Sequence, residues 1–365
     1  MHEQTRRQAF RTLVGAAAAC QLQVAGEPWR ATVFRAGEDG YHTFRIPALI
    51  ETRRRTLLAF CEGRRLSSSD SGDIDLVMKR SQDGGRTWSG LKLVCDMGPN
   101  TIGNPCPVQD RKTGRILLPL TYNPGNVVER QMIERTVEAR RTVHITHSDD
   151  DGETWAAPRD ITASTAKPDW TWYATGPGVG IQMRSGRIVI PCDHVVEGTR
   201  EHFSHVILSD DGGAQWRLGG NPETGGNECQ VVELPDGELM LNMRNAGRKN
   251  QRIVSHSADG GMTWSPLKWD ETLIEPVCQA SLIAAGKLLY FSNPASTRRA
   301  KMTVRTSSTR GRTWTAGQVL HEGPSAYSCL APVGSKDLGC LYECGEKSSY
   351  EQITFARFRR KWVNG

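Results

Sequence analysis

Three arginines stand where a packed β-strand should carry none. Arg45 interrupts "YHTFRIPALI", in which Phe44, Ile46, Ala48 and Ile50 alternate as a half-buried strand, with Pro47 two residues on. Arg244 follows the apolar run 239–243, and Arg299 lies just ahead of a strand-like stretch that ends at Ser307. Any one of them reads as a solvated strand end. Three converging on one axis would form an anion clamp, because a guanidinium grips a carboxylate through two parallel hydrogen bonds. Other polar groups sit in equally exposed roles. Glu228 opens the apolar run "ECQVVE", Tyr327 stands in the polar–aromatic patch "PSAYSCL", and Asp70 rides on the small-residue loop "SSSDSG". Such a loop can carry a mobile carboxylate or an ordinary turn aspartate. Asp73 and Asp75 compete with Asp70, but they alternate with Ile74 and Leu76 and look committed to a strand.

The elements that must position these groups are announced by a repeat. "SQDGGRTW" from Ser81, "SDDDGETW" from Ser148, "SDDGGAQW" from Ser209, "SADGGMTW" from Ser257 and "SSTRGRTW" from Ser307 share one pattern, with starts 67, 61, 48 and 50 residues apart. Ser and Asp side chains tie down a tight hairpin, Gly supplies positive φ, and Trp plugs between neighbouring sheets. The boxes therefore read as structural staples. The fifth has Thr309 in place of Asp, which puts that hairpin in question. A spacing near 56 residues suits one four-stranded sheet per repeat and predicts an all-β, six-bladed propeller over 27–365, one blade lacking a box. Only 126–141, "NVVERQMIERTVEARR", has a helical look, and it reads as an insertion.

At 38% hydrophobic and 24% charged, 365 residues suffice for one large domain or two ordinary ones. Residues 1–26 differ: Arg6 and Arg7 precede a short, small-residue apolar run, which predicts twin-arginine export to the periplasm or beyond. Cys20 invites a lipid anchor, but the residues before it fit that pattern poorly. Nothing later is apolar enough to span a membrane. The net charge is +6, of which the three arginines and one glutamate of the first 26 residues supply +2. A dispersed +4 suits a small anionic substrate and does not indicate nucleic acid. Of the ten cysteines, Cys61, Cys106, Cys192, Cys229 and Cys278 lie in apolar, strand-like runs and read as buried thiols; Cys340 and Cys344 stand close enough in sequence to pair. "GPGVG" from Gly176 reads as a packing turn, and His194, His202 and His205 lack the partners of a zinc site, so no metal or cofactor is expected.

The ordered set "FRIP", "LLAFCEGR", "SSSDSGDIDLV", "NPCPV", "ATGPGVGIQM", "NECQVVE", "NMRN" and "AYSCL…LYE", threaded through the boxes, resembles the exo-α-sialidases of the bacterial and animal type. The resemblance covers essentially everything after residue 30. It implies release of terminal sialic acid from glycoproteins, glycolipids or oligosaccharides. It implies Arg45, Arg244 and Arg299 as the carboxylate clamp, with Arg298 the neighbour to consider. It further implies Tyr327 as nucleophile, Glu228 as acceptor of its proton, Asp70 as general acid/base and Glu343 as the holder of Arg45. Arg64, Asn104, Asp193 and Gln279 match positions that shape the sugar pocket. A tyrosine nucleophile is chemically sensible, since a carboxylate would meet like charge at a carbon that bears one. Sialidases are an exception among glycosidases, most of which use two carboxylates. A related 2-keto-3-deoxy sugar, a transferase reaction or a non-catalytic glycan-binding propeller are the alternatives. Binding alone would need only the clamp.

Overall fold

The computed structural model describes residues 26–247 and 249–364. Cys20 and residues 1–25 of the expected export signal lie outside them. The described residues are all-β apart from short helical turns: four sheets of seven, nine, five and four strands, with the helices Glu129–Ile133 and Thr162–Thr165 in two of the connections. Pairing is antiparallel apart from a single parallel bridge, Ile74 to Thr101. The strand Trp29–Arg35 pairs with Gln352–Arg359, which brings both ends of the described chain into one sheet. The 16-residue strand Gln318–Val333 pairs with Ala300–Ser307 along its first half and with Asp337–Cys344 along its second. Tyr327 sits near that changeover.

Inner strands are buried on both faces, so they read as continuous apolar runs. Leu57, Leu58, Ala59, Phe60 and Cys61 are all 0% exposed. The nine described cysteines are free and buried. Cys340 and Cys344, whose pairing the sequence left open, lie four residues apart on one extended strand. That spacing is about 13 Å, well beyond the roughly 7 Å limit for a disulfide.

The boxes are hairpin staples. In the first, Ser81 donates to Asp83 at 2.8 Å and accepts from the Gly85 amide at 2.8 Å, while the Thr87 amide and hydroxyl donate to Asp83. Gly85 has φ +89°, and a Cβ there would lie 2.0 Å from the Phe355 ring. Only glycine admits both the turn and that approach. Trp88 meets Phe355 edge-on at 5.3 Å, tying the nine-stranded sheet to the seven-stranded one. The fifth hairpin forms without its aspartate. The Thr309 hydroxyl accepts from the Thr313 amide at 2.8 Å and lies 2.7 Å from the Thr313 hydroxyl.

The segment 126–141 folds as one short helix, Glu129–Ile133, followed by turns. "GPGVG" is a packing turn whose Pro177 carbonyl accepts from Gln230 and Gln279. His194 and His205 bond each other at 3.0 Å beneath Trp170, in the core of the five-stranded sheet. Among the described residues no helix is long and apolar enough to cross a membrane.

Candidate active site

Local backbone geometry explains the arginine in "FRIP". Arg45 pairs with Glu62, the register then slips, and Ala48 resumes pairing with Phe60. Ile46 and Pro47 occupy the bulge, where a missing amide donor costs no ladder bond. Ile46 adopts φ +61°, an outlier for a β-branched residue. Its amide donates to Glu343 Oε1 at 2.8 Å, and Arg45 Nε donates to the same oxygen at 2.8 Å. The other Glu343 oxygen accepts the Tyr327 amide at 3.1 Å. One fully buried carboxylate therefore sets the position of Arg45 and of the Tyr327 backbone together.

A cavity of about 490 Å³ opens over these groups. Arg45, Arg244 and Arg299 all line it, and Arg298 does not. Arg45 and Arg299 lie over the Tyr327 ring, 5.2 and 5.7 Å from its centroid. Arg299 donates to the Tyr350 hydroxyl at 2.6 Å, and Arg45 stacks on the Tyr350 ring at 3.9 Å. Arg244 donates to Glu228 Oε2 at 2.7 Å and to the Tyr327 hydroxyl at 3.2 Å. Tyr327 in turn donates to Glu228 Oε1 at 2.5 Å. Burial, and next the negative charge of Glu228, push the Tyr327 phenol well above its ordinary range, with Arg244 and Arg299 opposing. The phenol is therefore protonated at rest, with an acceptor already in contact.

Asp70 stands at the cavity mouth with its side chain 75% exposed. Arg64 lies 2.7 Å from it and Arg45 3.7 Å. Desolvation in the mouth raises its carboxyl, but Arg64 and then Arg45 overcome this and hold it below the usual carboxylate range. Arg64 is aimed by Glu62, whose Oε2 accepts two of its donors at 3.1 and 2.7 Å. Glu62 Oε1 also accepts the amide of Asn104, held at φ +54°. Asn104 and Asp193 line the floor. Asp75 is fully buried against Tyr41 and Arg65, away from the cavity.

Gln279 is a correction. It does not line the cavity; it is buried one layer below, bonded to the backbone of Pro177 and Ser328. Val277, at a bend where its own φ is +54°, lines the cavity instead. Glu62, Glu129, Arg141, Trp172, His202 and Tyr350 also line the site and were missed. Glu62 gave the same signal as Arg45, a charge inside an apolar strand. Glu129 and Arg141 are concealed in a segment that reads as an insertion. Tyr350 carried no local signal.

Similarity to known proteins extends over most of the chain. The BNR repeat-like domain family matches residues 55–353. A sialidase of Bacteroides fragilis is 35% identical over 355 residues, covering 90% of this chain and 64% of that protein. An exo-alpha-sialidase of Arthroderma benhamiae is 30% identical over 364 residues, covering 89% of this chain and 85% of its own length. Among solved structures, a Hadza microbial sialidase superposes with a TM-score of 0.84 at 34% identity, over 92% of this chain and 69% of that one.

Proposed function

From the premise that this chain belongs to the sialidase family of glycoside hydrolases, we propose that it removes terminal α-linked sialic acid from glycoconjugates by a retaining, two-step hydrolysis. The observation that carries the reading is the Tyr327–Glu228 hydrogen bond set within three converging arginines. Arg45, Arg244 and Arg299 receive the substrate carboxylate and hold the anomeric carbon over the phenol. As Tyr327 Oη bonds to that carbon, its proton passes to Glu228 Oε1. The bond from carbon to glycosidic oxygen breaks, and Asp70 protonates the departing oxygen. Asp70, now a carboxylate, then takes a proton from water as its oxygen bonds to the anomeric carbon; the bond from that carbon to Tyr327 Oη breaks, and Glu228 returns its proton to regenerate the phenol. The clamp acts by position, gripping the substrate carboxylate so that the anomeric carbon stays over the phenol through the oxocarbenium-like transition state. Arg64 and Asn104 fit the role of sugar-positioning groups.

The same proposal takes the sheets as six blades about one axis within a single domain, 27–365, the long strand Gln318–Val333 serving two of them. Arg6 and Arg7 support export of the folded enzyme by the twin-arginine route.

Release of a fluorogenic leaving group from an α-sialoside, compared between wild type and Tyr327→Phe, tests the reading. A silent wild type removes the proposed substrate. Equal turnover by the two proteins removes the nucleophile.

A further inference from the structure

The cavity floor holds two carboxyl groups in opposite circumstances. Glu228 is partnered at both oxygens: Tyr327 donates to one and Arg244 to the other. Asp193, on the strand Ile188–Val196, is 1% exposed, yet neither of its oxygens has a hydrogen-bond partner among the described residues. Sheet register gives the reason. Asp193 stands opposite Ala174 on one side and Ser204 on the other. Ala174 has no side-chain donor, and the Ser204 hydroxyl is donated to the Asn227 carbonyl. Arg244 is engaged with Glu228 and Tyr327. Arg141 faces the same floor but stacks on Trp172 at 4.2 Å, and its own Nε is unpartnered.

A buried carboxylate deprived of donors is expensive to keep charged, by far more than a neutral acid in the same place. We propose that Asp193 is a positioning residue that works as a neutral carboxylic acid, leaving Glu228 as the charged carboxylate that takes the Tyr327 proton. This rests on the reading of Tyr327 and Glu228 as the catalytic pair. Pairs of acids whose surroundings separate their protonation states are a recurrent means of dividing acid and base roles. The charged groups facing Asp193 are Glu228 and Glu129, which disfavour a further negative charge, and Arg141 and Arg244, which favour it. Burial is the largest influence and sides with the two glutamates, pushing the Asp193 carboxyl well up. His194 and His205 belong to the other face of the same sheet, and His202 lines the cavity. When Asp193 does ionise, at high pH, it adds a second negative charge beside Glu228 and the incoming anionic substrate, and turnover falls.

Two measurements decide this. The first is infrared difference spectroscopy of unliganded wild type against Asp193→Asn at neutral pH. Wild type should show a protonated-carboxyl carbonyl band that the variant lacks; absence of that difference overturns the proposal. The second is the pH profile of kcat/KM on an aryl α-sialoside whose leaving group is acidic enough to depart without Asp70's proton. Asparagine, neutral at every pH, should leave the acid limb in place and move the alkaline limb up by about one unit or more. An alkaline limb that stays put, or an acid limb that moves down, overturns the proposal; the latter would mean that Asp193 had been charged beside Glu228. Should the asparagine variant fail to fold, Asp193→Ser replaces it in both measurements. If wild type leaves the sialoside untouched, the sialidase reading fails, while the infrared band still judges Asp193.

Discussion

Tyr327 donates its hydroxyl to Glu228 across 2.5 Å, and the two residues come from strands 99 positions apart in the chain. Arg244 touches both partners, so Tyr327, Glu228 and Arg244 form a single hydrogen-bonded unit. Glu343 ties the Tyr327 amide to Arg45 on the other side. Tyr327 and the arginines are thereby fixed relative to each other, which is the preorganisation that the proposed reaction requires.

Glu228→Gln keeps the shape of the acceptor but removes its charge, so it should lower kcat by about 10²–10⁴-fold. KM should change far less, because the clamp is intact. Steady-state kinetics on an α-sialoside check the split; a pure KM effect would place Glu228 in binding instead.

Glu343→Gln should release Arg45 from its buried partner and loosen the Tyr327 backbone. Charged hydrogen bonds are worth about 1.5–3 kcal/mol each, so kcat/KM should fall roughly 10–100-fold. Arg45→Lys should cost a similar factor, since a point charge cannot reproduce the two-pronged grip. A competitive inhibitor that carries a carboxylate should weaken in parallel with both variants, whereas its methyl ester should be indifferent to them.

The pH optimum should lie on the acid side of neutrality. Asp70 must be protonated to act as the acid, but Arg64 and Arg45 hold its carboxyl below the usual range in the free protein. The protonated fraction therefore grows as pH falls. Arg64→Met removes the nearer cation, raises the Asp70 carboxyl, and should shift the alkaline limb of kcat/KM upward on substrates with poor leaving groups. Measurement of both profiles on one sialyllactose-type substrate tests this, and a downward shift would contradict it.

Box hairpins should govern stability and not turnover. Asp259 accepts from the Ser257 hydroxyl, the Met262 amide and the amide and hydroxyl of Thr263. Asp259→Ala should cost about 1 kcal/mol or somewhat more and lower Tm with kcat unchanged. The Thr263 bonds hold the Asp259 carboxyl well below its ordinary range. Its contribution is thus present above the ordinary carboxylate pKa and lost as pH falls through the lowered one. Thermal melts of wild type should weaken in acid through that window, and those of Asp259→Ala less so.

Much of this was legible in one dimension. The boxes announced hairpins because Ser, Asp, Gly and Trp at fixed offsets satisfy local bonds, and local bonds need no distant partner. Arg45, Glu228 and Arg244 were conspicuous because charge inside an apolar strand is costly without a reason. Thr309 shows where type alone misled: a hydroxyl accepts the Thr313 amide as the missing carboxylate would have. Gln279 shows the same limit in the site: its side chain accepts the Ser328 amide below the cavity, and Val277, at a bend with φ +54°, lines it.

By itself the sequence determined the β-rich architecture, the repeat and the chemical types available, because these follow from periodicity and from bonds between near neighbours. Tertiary structure alone decided which charges meet. Glu343 reaches Arg45 across 298 residues, Glu129 and Arg141 enter the cavity from what looked like an insertion, and Asp193 is left without a donor by Ala174 and Ser204. Those relations are set by sheet register and by the convergence of strand ends, and neither is encoded in any local stretch of the chain.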